Sequence, residues 1–431
     1  MVAFPSSAPN RKKRPPMRRT PSRRLIAAAL LVASALAPMT STSALAATTV
    51  TPTPAAATAV RFAGADRHDH DDCPSHGLGR DLDARLDKAV ADVRREAGIP
   101  GVAVGLWMPG KGCYVRATGV ADKVTGEPMS TDLYSRIGSE TKTFTVTALL
   151  KLVDDGRIRL DDPISRYVHG VPNGRHIALR HLAEMRSGLF PYSADADFAH
   201  DLLSDPTRTF TPPELLAYGF RHRNTSAPGK VFVYNNSNLV LLGLVIEKVT
   251  GHHVADVIDR RVLRPAHLDD TLFPDGPNVR EFPEPHARGY TDQTLSGAVE
   301  DSTDWNPSWA WSAGAMISNM HDLRSWAKTV ATGALLSPET QKQRLKTLPT
   351  GFPGLSYGLG IFETGGWIGH NGSIPGYESV TVYLPALKAT LVVLLNTDIT
   401  TGGQEPSTLV ARAVTRIATP DHVYDGSVTT R

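Results

Sequence analysis

The chain has 431 residues, with 46 Lys+Arg against 43 Asp+Glu and a formal net charge of +3. Eight of the basic residues and no acid fall within residues 1–46, so the remainder carries 38 basic and 43 acidic side chains, net −5. That balance leaves no electrostatic footprint for nucleic acid, and two cysteines, Cys73 and Cys113, are too few for a disulfide scaffold or a cysteine metal pair.

Residues 1–46 read as an export signal. Arg11 to Arg14, Arg18, Arg19, Arg23 and Arg24 form the basic region, and Leu25 to Ala37 is an apolar run too short to span a bilayer. Ala44-Leu45-Ala46 fits a small-x-small cleavage site, which predicts a secreted, extracytoplasmic protein cut near Ala46. Ser22-Arg23-Arg24 leaves the Sec and twin-arginine routes both open. Residues 47–80 read as a disordered linker, Thr/Ala/Pro-rich without period from Thr48 to Ala65. The His68 to Asp72 tract reads as a solvated run rather than a metal site. In an oxidising compartment Cys73 and Cys113 are expected to form a disulfide.

From Leu82 the pattern becomes globular. Leu82 to Ala97 has helical spacing and stops at Gly98. Val102–Trp107 and Cys113–Val120 flank a Pro-Gly-Lys-Gly turn and predict a hairpin. Ser139 to Asp154 reads as a long core helix ending near Gly156. Residues 164–282 read as mostly helical, broken by Gly and Pro, and Ala313 to Ala331 as a further helix. Gly366–Ile368, Tyr377–Leu384 and Ala389–Leu395 are β-branched and aromatic, hence strands. Pro406 to Ala418 closes the pattern as a helix, with residues 421–431 as a tail. Strands at both ends and helices between predict one α/β (α+β) unit over residues 81–420. An antiparallel sheet drawn from both chain ends is flanked by helices, and a helical lobe is inserted at about 160–305.

Ser139-Glu140-Thr141-Lys142 carries the chemistry. Positions three apart share one helix face, so the Ser139 hydroxyl and the Lys142 amine meet in one pocket. A nucleophilic serine needs a proton acceptor in reach, and a lysine serves only if burial lowers its pKa from about 10.4. Tyr234-Asn235-Asn236 follows a Pro-Gly-Lys turn and precedes an apolar helical run. His370-Asn371-Gly372 lies near the late strands.

This order resembles that of the penicillin-recognising serine acyltransferases, whose class A β-lactamases show Ser-x-x-Lys, Ser-Asp-Asn and Lys-Thr-Gly. From about Leu82 to Ala418 the chain resembles the actinomycete serine D-alanyl-D-alanine carboxypeptidases and their class C β-lactamase-like relatives. The words Arg136-Ile137-Gly138-Ser139, Arg186-Ser187-Gly188-Leu189 and Tyr357-Gly358-Leu359-Gly360 agree with it. The resemblance implies a β-lactamase/transpeptidase-like fold without metal or cofactor. Ser139 is then the nucleophile, with Lys142 and Tyr234 both standing as candidate bases. Asn236 holds the acyl-side amide, and His370 and Gly372 sit on the substrate-facing strand, where the glycine lets substrate backbone approach. The main-chain N–H groups of Ser139 and Ser373 form the oxyanion hole, Trp309 lines the acyl pocket, and Phe362 is expected to line the substrate pocket.

Two positions depart from that pattern. Phe362 stands where a carboxypeptidase arginine would hold the substrate's terminal carboxylate, and Met185 stands where a histidine is usual. His370 replaces the lysine of Lys-Thr-Gly, and at its ordinary pKa near 6.5 it would give activity an acid limb near neutrality. The leading expectation is an exported serine hydrolase that forms an acyl-enzyme from D-alanyl-D-alanine peptides of the cell wall, with β-lactams as covalent ligands. An esterase or D-amino-acid amidase on the same scaffold is the first alternative. A non-catalytic penicillin- or wall-binding protein is the second.

Overall fold

The computed structural model describes residues 77–276 and 279–426. Its centre is an eight-stranded antiparallel sheet in the order β2-β1-β12-β11-β10-β9-β8-β7. The hairpin β1 (Gly101–Met108) and β2 (Gly112–Gly119) joins the late strands through β1–β12 pairing, with Val102 opposite Leu395. The late strands are β7 (Leu348–Pro349), β8 (Leu355–Tyr357), β9 (Phe362–Thr364), β10 (Trp367–Ile374), β11 (Tyr377–Leu384) and β12 (Ala389–Leu395). Both chain ends therefore build the sheet, as the strand pattern predicts. β1, β11 and β12 are buried along their whole length, which matches their continuous apolar runs and means that both faces are covered.

α1 (Arg80–Glu96) and α10 (Pro406–Ala418) pack together over one face. On that face Glu378 of β11 accepts from Ser407 N, at the start of α10, at 2.8 Å. Side chains alternate along a strand, so Ser379 and Thr381 point the other way, where α2 (Thr141–Asp154) and α8 (Met320–Thr332) lie. Eleven of the 14 residues of α2 are buried. A helix buried on nearly all sides belongs to the core rather than the surface, and its threonines and Lys142 are met by internal hydrogen bonds. Phe144 stacks on Trp326 of α8 at 4.1 Å, and the Trp326 indole donates to Thr143 Oγ1. From α9 (Pro338–Arg344), the buried Arg344 guanidinium donates to Thr143 O and Thr147 Oγ1.

A helical group of α3 (Leu179–Ala183), α4 (Ala196–Ser204), α5 (Pro212–Phe220), α6 (Asn236–Thr250) and α7 (Val254–Ile258), joined by long irregular segments, packs on α2 through α6 and α7. Short strands β3 (Ser135–Arg136) and β6 (Ile317–Ser318) pair with each other, as do β4 (Tyr290–Thr291) and β5 (Glu300–Asp301).

The structure differs from the sequence pattern in three places. The expected helix Ala313–Ala331 is split. Its first part enters β6, and α8 begins only after Asn319, whose side chain accepts from Asp322 N at 3.0 Å. The strand expected at Gly366–Ile368 runs on to Ile374, so His370, Asn371 and Gly372 lie mid-strand. Residues 421–426, read from sequence as tail, return to the sheet. Trp367 Nε1 donates to His422 O at 2.7 Å, and Tyr424 is fully buried. Cys113 on β2 is disulfide-bonded; Cys73, the expected partner, lies outside the described residues, as do the signal and most of the linker.

Candidate active site

Ser139 sits in a 3₁₀ turn, Gly138–Glu140, that leads directly into α2. In such a turn positions i and i+3 eclipse, which brings Lys142 Nζ to 2.8 Å from Ser139 Oγ. Gly138 takes φ +49°, and a Cβ there would stand 2.7 Å from Ser373 N. Only glycine allows both the conformation and that approach, so the turn carrying Ser139 lies against the backbone of β10 at Ser373. Arg136 anchors the incoming strand. Its guanidinium donates to Thr303 O and Trp305 O and lies 4.9 Å from the Phe282 ring.

Lys142 has 0% exposure, and its second close partner is the carbonyl of Ala313 at 2.8 Å. Burial drives its amine well below the ordinary lysine range. A neutral amine has one lone pair, so it can donate to Ala313 O and accept the Ser139 proton. Sequence reasoning missed the Ala313 carbonyl, because a backbone acceptor leaves no side-chain signal. Glu140, one residue after the nucleophile, is also fully buried. Burial pushes its carboxyl up to about 8, despite the nearby Thr381 and Ser379 hydroxyls. It is uncharged at neutral pH and does not oppose an anion forming at Ser139.

Tyr234 enters from the segment before α6. Val233 N donates to Met185 O at 2.9 Å, and Asn235 caps α6 by accepting from Ser237 N and donating to Leu189 O. Asn235 is thereby turned away from Ser139, and Asn236 begins the helix. The Tyr234 ring lies 4.7 Å from Lys142 Nζ, and its hydroxyl faces Ser139. Burial raises this phenol far above its usual range, and the Ser139 contact offsets only part of the rise. Tyr234 is thus a neutral hydroxyl at rest, able to relay a proton but not to begin as a phenolate. Asn236 Nδ2 is 3.4 Å from Ser193 Oγ, while its Oδ1 is buried without a hydrogen-bond partner. An unpartnered buried acceptor is costly, and a substrate N–H would relieve it. Trp309, partly exposed, packs beside Ala310, Ile374 and Tyr377, and its carbonyl accepts from Tyr192 OH at 2.6 Å.

The Beta-lactamase family model matches residues 86–415. The chain belongs to the beta-lactamase family. It is 29% identical over 336 residues to Protein flp of Staphylococcus aureus (strain N315), a stretch that covers 74% of this chain and 64% of that protein. The chain therefore spans less than two thirds of that relative's length. Among solved structures, a D-stereospecific amidohydrolase from Streptomyces sp. matches with TM-score 0.67 and 31% identity, over 75% of this chain and 95% of that one. The D-amino acid amidase of Ochrobactrum anthropi SV3, complexed with D-phenylalanine, matches with TM-score 0.70 and 28% identity, over 79% and 98%. The β-lactamase/transpeptidase-like fold and the serine hydrolase class follow from these matches.

Two sequence readings are corrected within this family site. Phe362 does not line a substrate pocket. It has 0% exposure and lies 5.3 Å from the His370 ring, beneath it in the core. His370 does not titrate near neutrality. Burial, and then the nearby Lys142, lower it to about 3, against a smaller opposing effect of its bond to Asn371 O. Gly372 also has a reason to be glycine within the fold. A Cβ there would lie 1.9 Å from Ile137 O and 2.8 Å from Ser379 Oγ. Gly372→Ala must push β10 off the nucleophile's turn. A misplacement of about 1 Å costs on the order of 100-fold in rate, so kcat should fall by about that factor and the melting temperature should drop. A variant with wild-type kcat and melting curve would show that β10 does not need this contact.

Proposed function

We propose that this protein is an exported serine hydrolase that cleaves amides or short peptides of D-amino acids, rather than a carboxypeptidase for D-alanyl-D-alanine termini. The observation that carries the choice is the pair of positions 362 and 370. Where the family pattern offers cations to a substrate carboxylate, this chain has a core phenyl ring and a neutral imidazole. A hydrogen bond to a charged group is worth about 1.5–3 kcal/mol, so a leaving group with a free carboxylate forgoes roughly 10- to 100-fold in binding here. The names of the two solved relatives, a D-stereospecific amidohydrolase and a D-amino acid amidase, point the same way.

In the proposed cycle, neutral Lys142 takes the Ser139 proton as Oγ attacks the carbonyl carbon. The tetrahedral oxygen is held by main-chain N–H groups of Ser139 and Ser373. The proton then passes by Lys142 or the Tyr234 hydroxyl to the departing nitrogen, leaving the acyl group on Ser139. Water repeats the sequence on the ester. Asn236 Oδ1 accepts from the substrate's N–H. Export is proposed from the signal-like sequence of residues 1–46.

The test compares kcat/KM for D-phenylalanine amide, its L-enantiomer and an acylated D-alanyl-D-alanine peptide. The D-amide is expected to lead both by about tenfold or more. A lead of that size for the D-alanyl-D-alanine peptide would overturn the amidase reading in favour of the carboxypeptidase.

A further inference from the structure

We infer that Tyr357 is a positioning residue whose hydroxyl, donated to His370 Nε2, locks the imidazole as its neutral Nδ1–H tautomer beside Lys142 and Tyr234. This rests on the same Ser139 site but concerns a residue to which neither the sequence motifs nor the proposed cycle assigns a part. His370 Nδ1 lies 2.5 Å from Asn371 O. A carbonyl only accepts, so the ring proton is on Nδ1, and Nε2 carries the lone pair. Tyr357 OH lies 2.9 Å from that Nε2 and must donate to it. The two rings meet edge to face, 5.8 Å apart with an interplanar angle of 88°. Both residues are buried, so water is not at hand to replace either bond.

Both ends of the arrangement are fixed. Tyr357 pairs with Phe362 of β9 and Leu348 of β7, and its ring rests 5.5 Å from Phe232. Gly358 lets the chain pass the Arg344 carbonyl, which a Cβ would approach to 2.2 Å. Across the strand, Asn371 Nδ2 donates to Glu405 Oε2 at 2.8 Å and steadies the carbonyl that holds Nδ1–H. The titratable or charged groups around His370 and Tyr357 are Lys142 from α2, Tyr234 from the segment before α6, and Arg344 from α9. Among these no carboxylate faces the ring, so no neighbouring charge favours a second proton on it, and the bond to Asn371 O offsets burial only in part.

The consequence lies in proton traffic. With Nε2 occupied and Nδ1–H committed, His370 can neither take the Ser139 proton nor supply one to the leaving group. Lys142 and Tyr234 are left to carry it. Without the Tyr357 hydroxyl, Nε2 becomes a bare lone pair in a dry pocket and binds a proton more readily.

Nuclear magnetic resonance of histidine-labelled protein tests this, with the His370 signals assigned by their loss in His370→Gln. Wild-type His370 should show the Nδ1–H tautomer, unchanged across about pH 5–8. Tyr357→Phe should raise its titration midpoint by about one pH unit or more, and the acid limb of kcat/KM should move up with it. An Nε2–H or mixed tautomer in the wild type overturns the inference. So does a Tyr357→Phe protein with the wild-type tautomer and midpoint, whatever its loss of activity. If that variant does not fold, the wild-type spectrum decides alone. The spectra need no substrate, so failure of the D-amide assay leaves them standing and marks the substrate proposal as the part in error.

Discussion

Ser139→Ala is expected to abolish turnover, lowering kcat by about 10⁵–10⁶-fold, the scale at which a nucleophile and its base act as one unit. The loss falls on chemistry alone. Ser139 is only partly buried, and its partner Lys142 keeps its hydrogen bond to Ala313 O when the hydroxyl is gone. The melting temperature should therefore stay within a few degrees of wild type, and substrate should still bind. Pre-steady-state kinetics with a chromogenic D-amino-acid anilide would show the burst in the wild type and none in the variant. A variant that keeps more than a small fraction of the burst would place the nucleophile elsewhere.

Lys142→Met should separate activity from stability. Removing a general base costs about 10²–10⁴-fold, and the upper end applies because the other group facing Ser139, the Tyr234 hydroxyl, is held as a neutral phenol by burial. Stability should move the other way. In the unfolded chain the amine titrates near 10.4, while burial in the fold drives it well lower. Between those two values the folded state binds fewer protons than the unfolded one, so the buried lysine costs stability there. That cost fades as pH rises to the unfolded value. Methionine has no such dependence. Its stability advantage over wild type should be larger at about pH 7 than at about pH 9.5, since the unfolded amine nears its own pKa at the higher value. Loss of the Ala313 bond subtracts a constant from both. Urea denaturation at the two pH values reads the difference. An advantage that does not shrink with pH would mean that Lys142 is charged in the fold, and a charged lysine is no base for Ser139.

The sequence carried the frame because its strongest signals are local. The Ser-x-x-Lys spacing holds in any right-handed turn, and the long apolar strands of β11 and β12 admit no competing period. What it did not carry depends on which way a strand faces. Phe362 sits on a three-residue strand, where a one-residue shift in register exchanges core for cleft, and nothing in Ile361-Phe362-Glu363 decides between them. His370 reads as an ordinary histidine until the packing of Phe362, Tyr357 and Lys142 around it removes water. Glu140 carries no mark of burial in the sequence, and only the depth of the turn against Ser379 and Thr381 raises its carboxyl to about 8. Gly372 was legible as a glycine of consequence, but its approach to Ile137 was not, because Ile137 lies more than two hundred residues away in the chain. The split of the expected helix at Asn319 is different. The cap is visible in Asn319-Met320-His321-Asp322, and the apolar run of residues 313–317 masked it.

The most direct test is mass spectrometry of protein quenched during turnover of a D-phenylalanine ester, with a fluorophosphonate-treated sample in parallel and peptide mapping of both. One D-phenylalanyl or phosphonyl mass should appear on the peptide that contains Ser139, and neither should appear in Ser139→Ala. An acyl group on any other residue, or an adduct that persists in Ser139→Ala, would contradict Ser139 as the nucleophile.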